Sequence, residues 1–233
     1  MSELKQPGRR TLLRNILLGG AGLTMASSTK AAELCLRTPP QTKGPFYPLQ
    51  KPIDQNTDLT IRDGNRLRAR GQIIYIQGTV LGSDCQPVGG ALVEIWQACE
   101  SGRYDHPNDP NTAAELDPNF QYFGKALTGK DGRYSFKTIL PGAYPADRNW
   151  MRPPHIHYRV LKTGYRELVT QLYFKGQPLN EQDLILQDLS REEQDSVVVE
   201  LLPAPNADFE LGSQVCEFNI TLDEIRNKRR GGD

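Results

Sequence analysis

The feature that most constrains the fold is a succession of short segments of β-branched and apolar residues, each bounded by turn-forming residues such as Gly, Pro, Asn or Asp. The segments lie at residues 72–81, 91–97, 133–138, 156–160, 168–174, 197–202 and 217–222. Short strands at this spacing are typical of an antiparallel β-sandwich. The sequence therefore predicts an all-β chain, with a brief helical turn at 190–194 as the exception.

Two long polar segments interrupt the predicted strands, one at 100–126 and one at 140–154. Both are rich in Gly, Pro, Asp and Asn, which is typical of loops. Long loops on a rigid β scaffold are where binding and catalytic sites are usually built. We therefore expect an antiparallel β-sandwich with long active-site loops.

The N-terminal residues have the pattern of an export signal. Residues 8–14 read GRRTLLR, a twin-arginine pattern, and an apolar run at 16–26 follows it. The run is too short to span a bilayer, and the small residues at 31–32 are typical of a cleavage site. We predict a twin-arginine export signal at 1–35, a folded domain at 36–233, and a periplasmic or extracellular location. The alternative is a disordered basic tail followed by a core helix.

Net charge and cysteine spacing argue against several classes of function. Twenty-eight basic residues balance 28 acidic ones, so we expect no nucleic-acid partner, and no membrane span is expected either. The four cysteines stand in no CxxC or Cys/His spacing, which argues against a zinc or iron–sulfur site. In an oxidising compartment they are able to form disulfides, but the sequence leaves the pairing open among Cys35, Cys85, Cys99 and Cys216.

Two of the three histidines, His155 and His157, are separated by one residue within a predicted strand. Residues i and i+2 of a strand face the same side, so both imidazoles are expected on one face while Ile156 points towards the core. An imidazole pair suits zinc, copper, iron or nickel. The pair alone is equally compatible with two polar strand residues.

Two tyrosines in the long polar segments are candidate anionic ligands. Tyr104 lies in the first segment and Tyr144 in the second. A free phenol has a pKa of about 10, so tyrosinate binds at neutral pH only to a strongly Lewis-acidic ion such as ferric iron. Residue type alone does not select these two from the nine tyrosines, and a surface or corner position is the alternative for each.

Four blocks of sequence resemble the intradiol ring-cleavage dioxygenases, in particular the protocatechuate 3,4-dioxygenase branch of that family. In chain order they are TKGPFY at 42–47, GGALVEIWQA at 89–98 with GRY at 102–104, GRYSF at 132–136 with PGAYP at 141–145 and RPPHIH at 152–157, and TQLYF at 170–174. Each block alone is modestly specific, whereas the ordered set is highly specific and covers most of the predicted domain.

The resemblance implies a non-haem Fe(III) centre held by two tyrosines and two histidines, with solvent as a fifth ligand. Tyr104, Tyr144, His155 and His157 stand at the matching positions. By the same resemblance, Tyr144 and His157 are the axial ligands, and Tyr104 and His155 are the equatorial ones.

The resemblance also implies three catalytic residues. Arg152 matches an active-site arginine that stabilises negative charge on the substrate, and Gln171 matches a glutamine beside it. Tyr144 is expected to leave the metal and take up a substrate proton as a base. Without the resemblance, Arg152 reads as a surface arginine and Gln171 as an ordinary strand residue. His106 is not expected to be a ligand, and either lines the pocket entrance or is solvated.

The implied reaction inserts both atoms of O₂ into a catechol, protocatechuate-like or otherwise substituted, to give a cis,cis-muconate-type diacid. The expected partners are therefore a small aromatic diol and O₂. Assembly as a homo-oligomer, or as a hetero-oligomer with a related chain, is compatible with this branch of the family.

Two other interpretations compete with this one. The strand pattern also resembles the transthyretin-like and carboxypeptidase regulatory-like β-sandwiches, which are binding or structural modules that lack the Tyr, Tyr and His-x-His set. A zinc hydrolase built on the two histidines is the third interpretation, but it lacks an evident third ligand and general base. The presence of the complete ligand set favours the enzyme.

Overall fold

The computed structural model describes residues 35–225, so the predicted export signal lies outside the described residues except for Cys35. The strands in this range are β1 (Ile73–Leu81), β2 (Leu92–Trp96), β3 (Phe123–Leu127), β4 (Arg133–Ile139), β5 (Tyr144–Asp147), β6 (Trp150–Arg152), β7 (His155–Leu161), β8 (Leu168–Phe174), β9 (Val198–Val199), β10 (Leu202–Pro203), β11 (Gln214–Glu217) and β12 (Ile220–Thr221). The helices are a 3₁₀ helix (Pro178–Gln182), α1 (Leu184–Gln187) and α2 (Arg191–Val197), and none of them is long and apolar enough to cross a membrane.

Two five-stranded sheets share one hydrophobic core. One sheet has the order β10-β11-β1-β12 with β4 also paired to β1, and the other has the order β3-β2-β7-β8-β9. Buried side chains from both sheets meet in a single cluster, among them Ile76 and Phe136 from the first sheet and Ile95 and Leu172 from the second. The predicted all-β sandwich is therefore confirmed.

The sandwich is mainly antiparallel, as predicted, but three strand pairs are parallel. β11 and β12 run parallel to β1, and β9 runs parallel to β8. Parallel neighbours require a crossover connection rather than a tight turn, and the helical segment at 178–197 supplies one between β8 and β9. The other pairs of named strands are antiparallel.

Three strands lie within the segments predicted as loops. β3 begins near the end of the segment at 100–126, and β5 and β6 form a two-stranded hairpin inside the segment at 140–154. Their sequences are FGKAL, YPAD and WMR, which are too short and too rich in Gly, Pro or charged residues to display strand periodicity. The loop prediction is therefore wrong at these positions.

The C-terminal elements also differ from their predicted boundaries. The predicted helical turn at 190–194 is confirmed as α2, which begins with a capping box. Because α2 extends to Val197, the predicted strand at 197–202 is reduced to β9 and the start of β10. The predicted strand at 217–222 is divided between the last residue of β11 and the two residues of β12.

The second sheet has one face in the core and one face that carries polar and aromatic side chains. Ile156 is fully buried in the core cluster, as the alternation of the strand predicts. His157 is on the opposite face, and the strand register places Trp96 of β2 and Gln171 of β8 on either side of it. The N-terminal arm, residues 38–56, lies against this face through hydrogen bonds to β8 and β2. The candidate site is built between the sheet and the arm.

One disulfide settles the cysteine pairing that the sequence leaves open. Cys35 and Cys85 are bonded across 50 residues, which joins the start of the described chain to the turn between β1 and β2. Cys99 and Cys216 are free thiols, and both are buried.

Replacing Cys35 and Cys85 by Ser is expected to lower the free energy of unfolding by about 2–4 kcal/mol, since the disulfide restricts the unfolded chain. For a domain of this size, this corresponds to a fall of about 5–15 °C in Tm, measured by circular dichroism without reductant. Each single variant should lose as much as the double variant. A double variant that melts with the wild-type protein would contradict the disulfide.

Candidate metal centre

Four aromatic rings, two tyrosines and two histidines, enclose one buried position. The ring centroids of Tyr104 and Tyr144 are 5.3 Å apart, and those of Tyr144 and His155 are 5.5 Å apart. The ring centroids of His155 and His157 are 4.9 Å apart, and those of His157 and Tyr104 are 6.2 Å apart. All four side chains are buried. The structure therefore brings the four predicted ligands together from three different parts of the chain.

The two histidines are positioned by β7, and Tyr144 is positioned by β5. Tyr144 is the first residue of β5 rather than a loop residue, and the hairpin register places it directly opposite Arg152 of β6. The same register therefore fixes two predicted site residues at once. Tyr104 lies in the loop after β2, where its backbone N–H donates to the carboxylate of Asp109 at 2.6 Å.

Two glycines allow the loops that carry the tyrosines to touch. A Cβ atom on Gly102 would lie 2.1 Å from the carbonyl oxygen of Ala143, and one on Gly142 would lie 2.5 Å from the backbone nitrogen of Gly102. Gly102 also has a φ of +79°, which disfavours other residues. Each glycine precedes its tyrosine by two residues, so any side chain here would push Tyr104 and Tyr144 apart.

The donor atoms of the histidines fit a metal ion. The Nδ1–H of His155 donates to the carbonyl oxygen of Pro153 at 2.7 Å, which leaves Nε2 with its lone pair. Burial lowers the pKa of His155 well below its ordinary value, and the positive charge of Arg152 lowers it further. Burial, followed by the charge of Arg152, does the same for the pKa of His157. Both rings are therefore neutral at pH 7, as metal ligation requires.

The tyrosine hydroxyls complete a donor set that suits ferric iron. The Tyr104 hydroxyl is buried and has no hydrogen-bond partner among residues 35–225. Burial raises the pKa of Tyr104 well above its ordinary value, and the nearby Tyr144 raises it further. Burial also raises the pKa of Tyr144, although the positive charge of Arg152 opposes this shift. Two hard phenolate donors with two imidazoles match Fe(III) better than a softer divalent ion.

Arg152 is held behind the site by hydrogen bonds to Asp183, Gln171, Tyr173 and His155. Its Nε donates to Asp183 at 2.8 Å, and its Nη2 donates to Gln171 at 2.8 Å and to Tyr173 at 3.0 Å. Its Nη1 lies 3.0 Å from the Nε2 of His155. Although burial disfavours its charge, the Asp183 carboxylate raises the pKa of Arg152 above its ordinary value. A permanent cation is therefore fixed beside a candidate ligand atom.

Two residues of this network were missed by sequence reasoning. Asp183 is fully buried between the 3₁₀ helix and α1, where its carboxylate also accepts from the backbone N–H of Leu186 at 2.8 Å. An Asp that precedes an apolar LIL run signals an N-cap in the sequence, but nothing there points to Arg152. Tyr173 lies two residues after Gln171 on β8, on the same face, so strand alternation would have identified it.

The N-terminal arm closes the other side of the site. The amide of Gln171 donates to the carbonyl oxygen of Thr42 at 3.0 Å, and the ring of Phe46 lies 4.6 Å from that of Tyr104. A Cβ atom on Gly44, whose φ is +67°, would lie 3.2 Å from the ring of His157. The glycine of the TKGPFY segment thus has a physical reason, since its positive φ and its close approach to the histidine ring disfavour other residues.

Of the two positions expected for His106, the pocket entrance and solvent, the structure excludes the second. His106 is buried rather than solvated, so the solvated alternative is wrong. Its ring lies 5.8 Å from that of Phe46 in an edge-on contact, and the Phe46 ring in turn lies 4.6 Å from that of Tyr104. Its Nδ1 accepts from the backbone N–H of Asn108 at 3.1 Å.

Within residues 35–225, no three His, Cys, Asp or Glu side chains lie close enough together to hold a metal ion. Among the described residues, Tyr104 and Tyr144 lie beside the two histidines and complete a set of four candidate donors. The zinc hydrolase interpretation lacks its third ligand in the structure as it does in the sequence.

Comparison with protein families and curated proteins identifies relatives of this chain. A family model described as "Dioxygenase" matches residues 42–224. The protocatechuate 3,4-dioxygenase beta chain of Burkholderia cepacia is 40% identical over 151 residues, which cover 63% of each protein. Catechol 1,2-dioxygenase 1 of Acinetobacter lwoffii is 33% identical over 198 residues, which cover 77% of this chain and 60% of the relative. The chain thus spans less than two thirds of the length of these relatives.

Solved structures agree with the sequence relatives. The dioxygenase domain of a dioxygenase–carbohydrate-binding fusion from Streptomyces sp. SirexAA-E aligns with a TM-score of 0.60 at 28% identity, covering 81% of this chain and 99% of that one. Catechol 1,2-dioxygenase from Acinetobacter sp. ADP1 aligns with a TM-score of 0.65 at 27% identity, covering 81% of this chain and 63% of that one.

Proposed function

The chain belongs to the intradiol dioxygenase family, and from this membership we propose that it is an Fe(III)-dependent enzyme that cleaves the ring of a catechol between its two hydroxyl-bearing carbons. The observation that carries the proposal is the convergence of Tyr104, Tyr144, His155 and His157 around one buried position. These four residues would hold the ferric ion. When bound, the ion would supply a Lewis acid for the two catechol oxygens, which would make the ring reactive towards O₂.

Tyr144 is proposed as the base that accepts a proton from a substrate hydroxyl. Tyr144 is the first residue of β5 and lies opposite Arg152 in the hairpin register. The positive charge of Arg152 favours the phenolate form of Tyr144. A phenolate that takes up the proton of a substrate hydroxyl at its Oη allows the substrate to bind as an anion. No proton is then left free in the buried site. Tyr104, which lies in the loop after β2 rather than in the hairpin that contains Arg152, is proposed to keep the role of a permanent ligand.

Arg152 is proposed to stabilise the negative charge of the bound catechol. Asp183, Gln171 and Tyr173 hold its Nε and Nη2, so its Nη1 is the part directed to His155 and the four-ring site. A preorganised cation in a site that excludes water stabilises developing charge without reorganisation. The rings of Phe46 and Trp96, both buried, provide the apolar walls.

The proposed reaction needs no reductant besides the substrate. The C–C bond between the two hydroxyl-bearing carbons breaks, and each atom of O₂ enters one of two new carboxyl groups. The four electrons that reduce O₂ come from the catechol, and the product is a cis,cis-muconate-type diacid. The names of the relatives support a catechol-type substrate, either protocatechuate-like or carrying another substituent.

Turnover under oxygen-18-labelled O₂ tests this proposal directly. We expect the purified chain, supplied with Fe(III), to convert catechol or protocatechuate into a ring-opened diacid that carries both labelled atoms, detected by mass spectrometry. A product that carries one label, or a ring opened beside the two hydroxyl groups rather than between them, would contradict the proposal.

The binding-module alternative is disfavoured. The transthyretin-like and carboxypeptidase regulatory-like sandwiches share the strand pattern but not the tyrosine and histidine set. In this chain the four residues converge, and the family model includes all of them. A metal-free binding domain would have no need of four buried donors around one position.

Export through the twin-arginine pathway is proposed as well, to the periplasm or the cell exterior. The disulfide between Cys35 and Cys85 supports this location, since disulfides persist in oxidising compartments. The relationship to a protocatechuate 3,4-dioxygenase beta chain supports an oligomer, made either of identical chains or with a related chain. Fractionation of the producing cells, with the N-terminus of the mature protein determined, tests the first proposal, and an unprocessed cytoplasmic protein would contradict it.

A further inference from the structure

Glu94 is a fully buried carboxylate in the middle of β2, outside the four-ring site. Its Oε2 accepts from the hydroxyl of Tyr47 at 2.8 Å and from Nη1 of Arg159 at 3.4 Å. Its Oε1 is paired with the ammonium of Lys51. Buried ion pairs contribute little net stability, so such a cluster is better explained by the geometry that it fixes.

The cluster is connected to His157 by two aromatic contacts. The ring of Tyr47 meets Trp96 edge to face at 4.9 Å, and Trp96 is stacked on His157 at 4.8 Å with 7° between the ring planes. The register of β2 and β7 pairs Glu94 with Arg159, and Trp96 with His157. The strand pair of β2 and β7 therefore carries both the ion cluster of Glu94 and the stacked rings of Trp96 and His157.

His157 needs such a stack, because no hydrogen bond fixes its ring. A metal-ligating histidine almost always donates its second ring N–H to an acceptor, which sets the ring orientation. His155 does so through Pro153, but the Nδ1 of His157 is buried and has no partner among the described residues. The torsion that rotates an imidazole about its Cβ–Cγ bond is broad unless packing restricts it. For His157 that packing includes the face of Trp96, on which the imidazole is stacked.

We propose that Glu94 is a positioning residue for the metal centre, which acts through Tyr47 and Trp96 to fix the ring plane of His157. The Tyr47 hydroxyl donates to Glu94, and the Tyr47 ring packs against Trp96. The tyrosine therefore keeps the indole in contact with the imidazole of His157. The inference rests on the proposed function, since it assumes that His157 binds Fe(III).

Replacing Glu94 by Gln tests the inference, with Glu167→Gln as the matched control. Glu167 is 46% exposed and pairs with the same Arg159 at 2.7 and 3.0 Å, so both variants remove a carboxylate from one guanidinium. Fe(III), supplied as its citrate complex, is titrated into each full-length protein while the tyrosinate-to-iron absorption band is recorded. We expect Glu94→Gln to weaken Fe(III) binding by about 10–100-fold and to shift the band. Glu167→Gln should match the wild-type protein.

Tyr47→Phe keeps the inference testable if Glu94→Gln does not fold, because it removes one hydroxyl and retains the ring. It should weaken Fe(III) binding and shift the band in the same direction, and the double variant should lose no more than Glu94→Gln alone. Wild-type binding and an unshifted band in folded Glu94→Gln or in Tyr47→Phe would overturn the positioning role. So would an equal effect of Glu167→Gln. A wild-type protein without any band would instead overturn the proposed function, and the inference with it.

Discussion

Replacing His157 by Gln is expected to abolish ring cleavage and to remove most bound ferric iron. The variant loses one of the four proposed ligands and the ring that is stacked on Trp96 at 4.8 Å, while its amide nearly fills the volume. Loss of a hydrogen bond to a ligand already costs about 10–100-fold in metal affinity, so loss of a ligand itself should cost more. Iron analysis of the purified variant, together with oxygen uptake in the presence of catechol, measures both effects.

The chain contains its own control for this experiment, because the third of its three histidines lies outside the four-ring site. His106 is also buried and contacts Phe46, but it is not one of the four residues whose rings enclose the proposed metal position. His106→Gln should keep the iron, the absorption band and the activity. If it lost iron as completely as His157→Gln does, the assignment of the ligands to the His-x-His pair would be wrong.

Replacing Asp183 by Asn should lower both stability and turnover without removing the metal. The carboxylate is the only acidic group bonded to Arg152 among the described residues, and it is fully buried. Breaking a buried ion pair from one side costs about 3–5 kcal/mol, because the other charge is left uncompensated. For a domain of this size, Tm is expected to fall by about 6–20 °C.

The effect on catalysis follows from the orientation of Arg152. Without the carboxylate, its guanidinium is no longer held with Nη1 towards His155, and the loss of one preorganised donor typically lowers kcat by about 10²–10³-fold. The iron content and the absorption band should persist, since all four proposed ligands remain. Asp188→Asn is the control, because Asp188 is exposed and lies in the same segment. A fall in kcat that only mirrors the unfolded fraction would contradict the positioning of Arg152 by Asp183.

The elements of the sandwich core could be predicted from the sequence because they have clear periodicity. The pair His155 and His157 could be placed on one face, with Ile156 in the core, from alternation alone. The hairpin of β5 and β6 could not, since its residues have no alternation and its only strongly buried positions are Tyr144 and Arg152 at its two ends. Its stability comes from pairing and from the site itself.

The two tyrosines proposed as ligands show a second limit of prediction from the sequence. Residue type does not distinguish Tyr104 and Tyr144 from seven other tyrosines, and only the resemblance to a family selected them. A physical signal was nevertheless present, since Gly102 and Gly142 each stand two residues before a tyrosine and allow their loops to touch. Asp183 has no such signal, because its contact with Arg152 depends on how the helical segment after β8 returns to the hairpin. Tertiary contacts of this kind are not encoded in any local pattern.

The central claim, a ferric ion held by two tyrosines and two histidines that binds catechol directly, is tested most directly by the visible spectrum. The protein is purified in air and its spectrum is recorded before and after catechol is added without oxygen. A broad tyrosinate-to-iron band that shifts when catechol is added, and a ring-opened product once air is admitted, are the results expected. A protein that remains colourless after reconstitution with Fe(III) would contradict the claim.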